Sequence, residues 1–414
     1  MFKKNFFVII FNKLFRRTFI IENILKNIDI NSEWFINNRR ELHKIPELDF
    51  DLPKTIKYIT TILDELGVNY KTNIGKSGIV ADFIGKDTTK TIALRADIDA
   101  LPILENSDCP FKSEHIGKMH ACGHDVHCSV LLGVVKVLST IKEELPCNVR
   151  LIFQPAEETT GGALPMINDG VLDNVDAIFG LHVHPSLHVG KIGVKYGPMF
   201  AASTTVNIKI IGKSTHGAFP SDGVDAIVTA CQVVNSIQSI VSRNTDSRDS
   251  LVITFGTING GTKENIVANE VTLTGTIRTL SQDMRVFAKT RIKEMAEFVA
   301  KGYGACAEVN FRDSYDALIN HDSFVDIIKS SGEELLSKEN VINIPKSEMG
   351  AEDFAYYLEK VPGAFFLLGT GNEELNACEP LHNDKFKIDE TSIPLGIKMQ
   401  VLNIFKAYEF LKNR

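Results

Sequence analysis

The spacing of apolar positions divides the chain into segments of helical and strand character. Over residues 31–66, Trp34, Phe35, Leu42 and Ile45, then Ile56, Ile59, Ile62, Leu63 and Leu66, recur on one face. This predicts helix on either side of Pro53, closed by Gly67. From Val68 to Leu101 the pattern shortens to apolar runs at 78–84 and 91–95 between polar turns, which is the pattern of strands. Helical spacing returns from Asp125 to Leu145 through Val126, Val130, Leu131, Val134, Val137, Leu138 and Ile141, and strands follow at 148–153 and 176–181.

Residues 203–311 read as a self-contained unit of strand 203–211, helix 224–242, strands 251–258 and 270–279, helix 282–301 and strand 306–311. Its first helix carries one clean stripe, Ile227, Ala230, Val234, Ile237 and Val241. The order β-α-β-β-α-β is that of a ferredoxin-like α+β sandwich. Helices and a strand at 363–368 resume afterwards, so the unit is an insertion. The expected fold is α/β. A main domain over 31–198 and 312–414 has a mixed, largely parallel sheet flanked by helices, an inserted domain spans 199–311, and a basic, apolar extension covers 1–30.

A length of 414 residues exceeds what one ordinary core organises, in keeping with two domains. At 44% hydrophobic and 23% charged residues the composition is globular, and a net charge of -7 leaves no footprint for nucleic acid, which is excluded as a partner. Seven cysteines, at 109, 122, 128, 147, 231, 306 and 378, are an odd number without framework spacing. They point to free thiols in a reducing compartment, the cytoplasm. After the amino terminus no stretch approaches the length of a membrane span. Residues 1–21 carry Lys3, Lys4, Lys13, Arg16 and Arg17 with no acid before Glu22, around the short apolar run 6–11. A secretion signal is not expected; a basic helix that contacts a membrane weakly or addresses an organelle, and a plain extension, both stay open.

Candidate chemistry concentrates in Met119-His120-Ala121-Cys122-Gly123-His124-Asp125-Val126-His127, a thiol, three imidazoles and a carboxylate at the start of a predicted helix. The helix dipole there favours an ionised thiol. Four other segments follow predicted strands or lie near the carboxyl terminus: 95–102 with Asp97 and Asp99, 154–158 with Glu157 and Glu158, 180–185 with His182 and His184, and 380–383 with His382. Singly, a Glu-Glu pair reads as solvated charge and a histidine after a strand as a packed side chain. Together they form a mixed N/O/S ligand set of the kind a two-metal hydrolase needs. A closed structural zinc site would call for more cysteine.

These segments resemble, in order, those of the metal-dependent amidohydrolases that include hippurate hydrolase, auxin-conjugate hydrolases and N-acyl-amino-acid amidohydrolases, a branch of a larger dinuclear carboxypeptidase and aminoacylase family. The resemblance runs from Trp34 to Glu409 and includes residues 39–48 and 347–354. It implies that Cys122, His124, Glu158, His182 and His382 hold two divalent ions (manganese, zinc, cobalt or nickel), with Glu157 as general acid/base. Asp97 and Asp99 would orient the ligands; Asp125 would do the same or cap its helix. His120, His127 and His184 are read as neighbours of the ligands, and Cys128 as core.

In the inserted lid and dimerisation domain the resemblance makes His216 a donor to the tetrahedral oxyanion. It makes Asn265 and Arg278 a clamp for a substrate carboxylate. The implied activity is hydrolysis of the amide of N-acyl amino acids, with homodimers formed through the inserted domain. N-acetyl-diaminopimelate deacetylation, small-peptide carboxypeptidase activity and a non-catalytic metal- or amino-acid-binding module are the alternatives. Relatives commonly carry Asn-Val-Ile-Pro where this chain has Asn265-Ile266-Val267-Ala268, which leaves substrate preference open.

Overall fold

The computed structural model describes residues 21–413, so the basic run of residues 1–20 lies outside the described residues. Two compact units are present. The first comprises the chain through Tyr196 with Asn320–Ile344 and Tyr357 onward; the second comprises Gly197–Ile319 and Pro345–Tyr356.

In the first unit, helices α1 (Ser32–Lys44) and α2 (Pro53–Glu65) form on either side of the predicted break, with Pro53 in the first turn of α2, where its missing N–H costs nothing. Then come β1 (Tyr70–Ile74), β2 (Gly78–Phe83), β3 (Asp87–Asp97), α3 (His124–Thr140), β4 (Cys147–Gln154), α4 (Ala163–Asn168), β5 (Ala177–His188) and β6 (Ile192–Val194). The sheet runs β1-β2-β4-β3-β5, then a strand from near the carboxyl terminus (363–371), then β6 and a short last strand (341–343). Its central strands β4, β3, β5 and 363–371 are mutually parallel. Buried on both faces over most of their length, they read in sequence as largely apolar segments without strict alternation, as such strands do. All four end on the same side, where open α/β sheets place their sites.

Helix α3 is buried without interruption from His124 to Val135. It packs against α1 and the carboxyl-terminal helix (392–411). Close approach there depends on Gly133, where a Cβ would stand 2.3 Å from Ile397 Cδ1 and 3.2 Å from Phe35 Cδ1. The helix expected to reach Leu145 stops at Thr140, and Ile141 turns the chain into β4.

The second unit contains β7 (Gly197–Phe200), β8 (Ala202–Ile211), α5 (Ala226–Ser239), β9 (Leu251–Gly260), β10 (Glu270–Thr279), α6 (Gln282–Gly302) and β11 (Cys306–Asp313), with β12 (Leu318–Asn320) at the return to the first unit. Its sheet has the order β11-β8-β10-β9, antiparallel throughout, which is the ferredoxin-like arrangement. Strand β8 alternates buried and half-buried positions along its whole length, so one face meets α5 and α6. The predicted start of α5 at residue 224 moves to Ala226 because the Asp225 carboxylate caps it, accepting from the N–H groups of Ile227 and Val228.

The remaining elements are α7 (Asp322–Leu335), β13 (Val341–Asn343), α8 (Ala355–Lys360), β14 (Gly363–Gly371) and α9 (Ser392–Leu411). Two boundaries differ from expectation. The division into 199–311 and flanking domain segments becomes Gly197–Ile319, and Pro345–Tyr356 joins the second unit, held by Ala201 N–H to Gly350 O (2.8 Å) and Ser347 Oγ to Pro198 O (2.7 Å). The extension expected to end at residue 30 is shorter, because residues 21–30 are helical and Ile24 and Ile28, one turn apart, join the main core. No helix among the described residues is long and apolar enough to cross a membrane.

The long connection between β3 and α3 is anchored by Glu105. Its carboxylate accepts from Ser107 Oγ (2.5 Å) and Ser113 N–H (2.7 Å) and lies 3.2 Å from His43 Nε2. The other ring nitrogen of His43 is 2.8 Å from Asp125 Oδ2, which also receives Arg39 Nε at 2.7 Å. Burial pulls the His43 pKa down, and so does Arg39, but the bonds to Asp125 and Glu105 outweigh them and raise it. Burial alone would raise the Glu105 carboxyl, yet His43 and the two seryl donors hold it down at about 2.

Two outcomes follow. Gly133→Val should destabilise the first unit by about 1–3 kcal/mol through overpacking, read as a lower midpoint in denaturant melts. Because the Glu105 pKa falls from 4.5 unfolded to about 2 folded, its contribution is complete above pH 4.5 and is lost as pH falls toward 2. Glu105→Gln should therefore be less stable than the parent at pH 7, with the gap closing through that window; a gap of constant size would contradict the assignment.

Candidate metal centre

Each putting-forward element ends at the same edge of the sheet. Strand β3 ends at Asp97, with Ile98 N–H donating to Gln154 O (2.9 Å) and so tying the exits of β3 and β4 together. After β4, Ala156 adopts a left-handed backbone (φ 59°), which turns Glu157 and Glu158 back over the strand ends. Strand β5 carries His182 within it, since the strand expected to stop at 181 continues to His188. His382, also left-handed (φ 64°), follows β14 and donates its N–H to Ala121 O at 2.9 Å. Gly123 precedes α3 at φ 87°, and a Cβ there would meet Val183 Cγ2 at 2.4 Å, so the Cys122-Gly123-His124 turn fits against β5 only with glycine.

These turns bring the expected residues of the first unit together. Cys122, His124 and His182 form one group whose ligand atoms all lie within 4.8 Å of one another; Cys122, Glu158 and His382 form a second, and His124, Glu157 and Glu158 a third. Cys122 Sγ is 3.3 Å from His182 Nε2, and Glu158 Oε1 is 3.7 Å from His124 Nε2 and 3.3 Å from His382 Nε2. The first two groups share the thiol. All of these residues are buried or half-buried except His382, which is half exposed.

The outward-facing atoms of the ligands are occupied. His124 Nδ1 bonds Asp99 O at 2.9 Å and His182 Nδ1 bonds Val183 O at 2.7 Å, so each ring donates from Nδ1 and turns Nε2 inward. The Asp99 carboxylate accepts the N–H groups of Glu157 and Glu158, both at 3.0 Å, and fixes the backbone of the turn that carries both side chains. Inward, His124 Nε2 and Glu158 Oε1 are buried atoms with no hydrogen-bond partner. Orphaned buried polar atoms converging with a thiol and further imidazoles fit a divalent cation of borderline softness.

The electrostatics agree with that fit. Burial, then the charges of Glu158 and Glu157, push the Cys122 thiol well above its usual pKa. Burial opposes ionisation of Glu158, but the His382 and His124 imidazoles outweigh it and hold the carboxyl at about 2. Burial lowers His182 to about 3, leaving it neutral and able to ligate. Burial also works against His124, yet Asp97, Asp99 and Glu158 raise it to about 10. A divalent cation held by His124 and Cys122 would take the place of the protons that these groups otherwise carry.

Asp97 receives Arg95 Nη1 at 2.7 Å and His127 Nδ1 at 2.5 Å, and lies 3.7 Å from His124 Nε2. Asp125 faces away from the ligands, toward Arg39 and His43, and makes no capping bond at the start of α3. His120 is buried with neither ring nitrogen bonded, and burial lowers it to about 3. His184 is half-buried on β5, and Cys128 sits in the core. Sequence reasoning missed the supporting roles of Arg39, His43, Arg95 and Gln154, whose Oε1 accepts from Arg95 Nε at 2.9 Å. The alternation of β3, which puts Arg95 and Asp97 on one face, was the available signal for that pair.

The other expected residues belong to the second unit. His216 and Asn265 are exposed and lie on two adjoining loops: His216 bridges Ile266, Gly217 N–H donates to Asn265 O (2.7 Å), and Ala218 N–H donates to His216 Nδ1 (3.0 Å). Arg278 on β10 is half-buried and donates to Ser203 Oγ and, at 2.7 Å, to Thr276 Oγ1. Its pKa is lowered by burial.

Residues 93–404 match the model of peptidase family M20/M25/M40. The chain is 40% identical over 386 residues to an N-acetyldiaminopimelate deacetylase of Priestia megaterium, covering 92% of this chain and 99% of the relative. It is 38% identical over 367 residues to an N-acetyl-L-cysteine deacetylase of Bacillus subtilis, covering 89% and 86%. A solved Bacillus subtilis structure described as a dinuclear metal-binding peptidase of the M20 family superposes with a TM-score of 0.81 at 33% identity, covering 92% of this chain and 99% of that one. The fold, the clustered ligand groups and these likenesses agree: the chain belongs to peptidase family M20/M25/M40 and is a hydrolase of that family.

Proposed function

We propose that this hydrolase cleaves the amide bond of N-acyl amino acids at a centre of two divalent ions. Cys122, His124, Glu158, His182 and His382 would hold the ions and Glu157 would move the protons. The observation that carries the reading is the pair of overlapping ligand groups sharing the Cys122 thiol, with Glu157 fixed beside Glu158 by the same Asp99 carboxylate. Zinc, manganese, cobalt and nickel all suit a set of one thiolate, imidazoles and carboxylate.

When bound, such ions acidify water and polarise an amide carbonyl. Glu157 takes the proton of the attacking water and returns it to the departing amine, which leaves poorly unless protonated. Asp99 holds the backbone at Glu157 through its N–H, so the turn that carries the carboxylate is fixed during both transfers. Asp97 and Asp99 orient the ligands. In the second unit His216 is assigned to the tetrahedral oxyanion, and Asn265 and Arg278 to the substrate carboxylate, a role that suits a fork of donors. The backbone bridge that joins the His216 and Asn265 loops supports treating those two as one functional element.

The name of the Priestia megaterium relative favours a second substrate, N-acetyldiaminopimelate, handled by the same centre. Homodimers through the second unit belong to the same reading. The exposed side chains of Ile227 and Val228 on α5 and of Val252 and Ile258 on the edge strand β9 support it.

Glu157→Gln should keep the metal content of the parent while lowering turnover about 10²–10⁴-fold. His182→Ala and His382→Ala should lose metal, and exhaustive chelation should abolish activity until a divalent ion is restored. Assays with N-acetyl and N-benzoyl amino acids, N-acetyldiaminopimelate and dipeptides separate the substrate classes; full turnover by Glu157→Gln would exclude the mechanism. Sedimentation velocity should show a dimer that Ile258→Asp weakens.

A further inference from the structure

His127 stands among the candidate ligands, and its ring is 4.6 Å centroid to centroid from that of His182. Both of its nitrogens are nevertheless committed. Nε2 accepts the Val183 N–H at 2.9 Å, so that nitrogen carries a lone pair and not a proton. The proton is therefore on Nδ1, which donates to Asp97 Oδ1 at 2.5 Å. A ring fixed this way has no lone pair left for a metal. What it does hold is the Val183 peptide, and the carbonyl of Val183 in turn accepts His182 Nδ1–H at 2.7 Å.

Val183 lies beyond Gly180, the last residue of β5 paired with β3. Past that rung no strand from β3 holds the chain, and on this edge the side chains of His127 and His182 take up the Val183 N–H and C=O. The result is a buried series: Arg95 to Asp97 (2.7 Å), Asp97 to His127, His127 to Val183, Val183 to His182, and His182 Nε2 facing Cys122 Sγ at 3.3 Å.

We infer that His127 is a positioning residue for the metal centre: by accepting the Val183 N–H it fixes the backbone of Val183, the residue whose carbonyl, in the next peptide unit, sets the tautomer and aim of His182. This rests on the proposed metal-binding role of His182. It assigns His127 no contact with ion or substrate, and it assigns the effect to the Nε2 acceptor, not to the Nδ1 bond with Asp97.

Those two bonds can be separated. Asn at 127 places an amide donor where Nδ1 stands and can keep the Asp97 contact, but has nothing at the Nε2 position; Gln places an amide oxygen near Nε2 and can keep accepting from Val183. Divalent-ion stoichiometry and affinity are measured by chelator competition with zinc and by the visible spectrum of the cobalt-loaded protein, on the folded, monodisperse fraction of each variant. Partners of metal-bound imidazoles typically change affinity 10–100-fold when removed. His127→Asn should weaken the binding of one ion at least tenfold and alter the cobalt spectrum, whereas His127→Gln should stay within about threefold of the parent. His127→Ser, which also removes the acceptor, replaces the Asn variant if no folded fraction of that one is recovered. The inference is overturned if the variant lacking the acceptor binds both ions as the parent does, or if His127→Gln loses as much affinity. A parent chain that binds no divalent ion overturns the metal-centre reading itself, and this inference with it.

Discussion

The constraint on which the structure depends is the removal of several ionisable groups from water at one end of a parallel sheet. Taking a charge into a protein interior costs about several kcal/mol per ion after relaxation, and only fixed partners offset it. Here the partners are arranged by direction. Asp99 takes the N–H groups of Glu157 and Glu158, and backbone carbonyls take the outer N–H of His124 and His182. The inner Nε2 of His124 and Oε1 of Glu158 are left facing each other at 3.7 Å without a hydrogen-bond partner. The pKa directions are opposed: burial and neighbouring carboxylates keep the proton on the Cys122 thiol, while His382 and His124 keep Glu158 ionised, and a cation placed between them would favour the anionic form of both.

The rest of the first unit serves to hold that cluster in register. Parallel strands β4, β3, β5 and β14 end on one side, and two left-handed residues, Ala156 and His382, bend the following segments across those ends. Such backbone costs on the order of 1–2 kcal/mol per residue and persists only where its surroundings dictate it. Helix α3 brings Cys122 and His124 in from the opposite layer, and its burial on every side fixes them. On the far side of the same helix, Asp125 is clamped by Arg39 and His43, so the start of α3 is held from both directions. The ferredoxin-like second unit closes its own core between one sheet face and two helices.

Local pattern was enough for much of this. Strand β10 lies at 270–279, as its apolar alternation predicts, and the β-α-β-β-α-β order emerges from periodicity because each element there buries one face only. Where the pattern misled, the cause was tertiary. Strand β5 runs on through His182 to His188 because β14 pairs with it, and polar residues in a strand supported from outside the segment carry no apolar signal. Residues 345–356 join the second unit through backbone bonds to residues 198–201, which no composition shift announces.

What the sequence by itself determined is the set of candidate ligands. Cys122, His124, Glu157, Glu158, His182 and His382 are reactive side chains placed after strands or at a helix start, and that placement is local and readable. What only the tertiary structure decided is how each of them is used. His127 and His182 are both imidazoles beside the same cluster, yet the Val183 N–H takes up one lone pair and the Val183 carbonyl leaves the other free. Asp125, next to His124 in sequence, faces Arg39 and His43 instead of the ligands. A residue type states which bonds are available; which of them remain for a ligand depends on partners distant in the chain, and those are fixed only by folding.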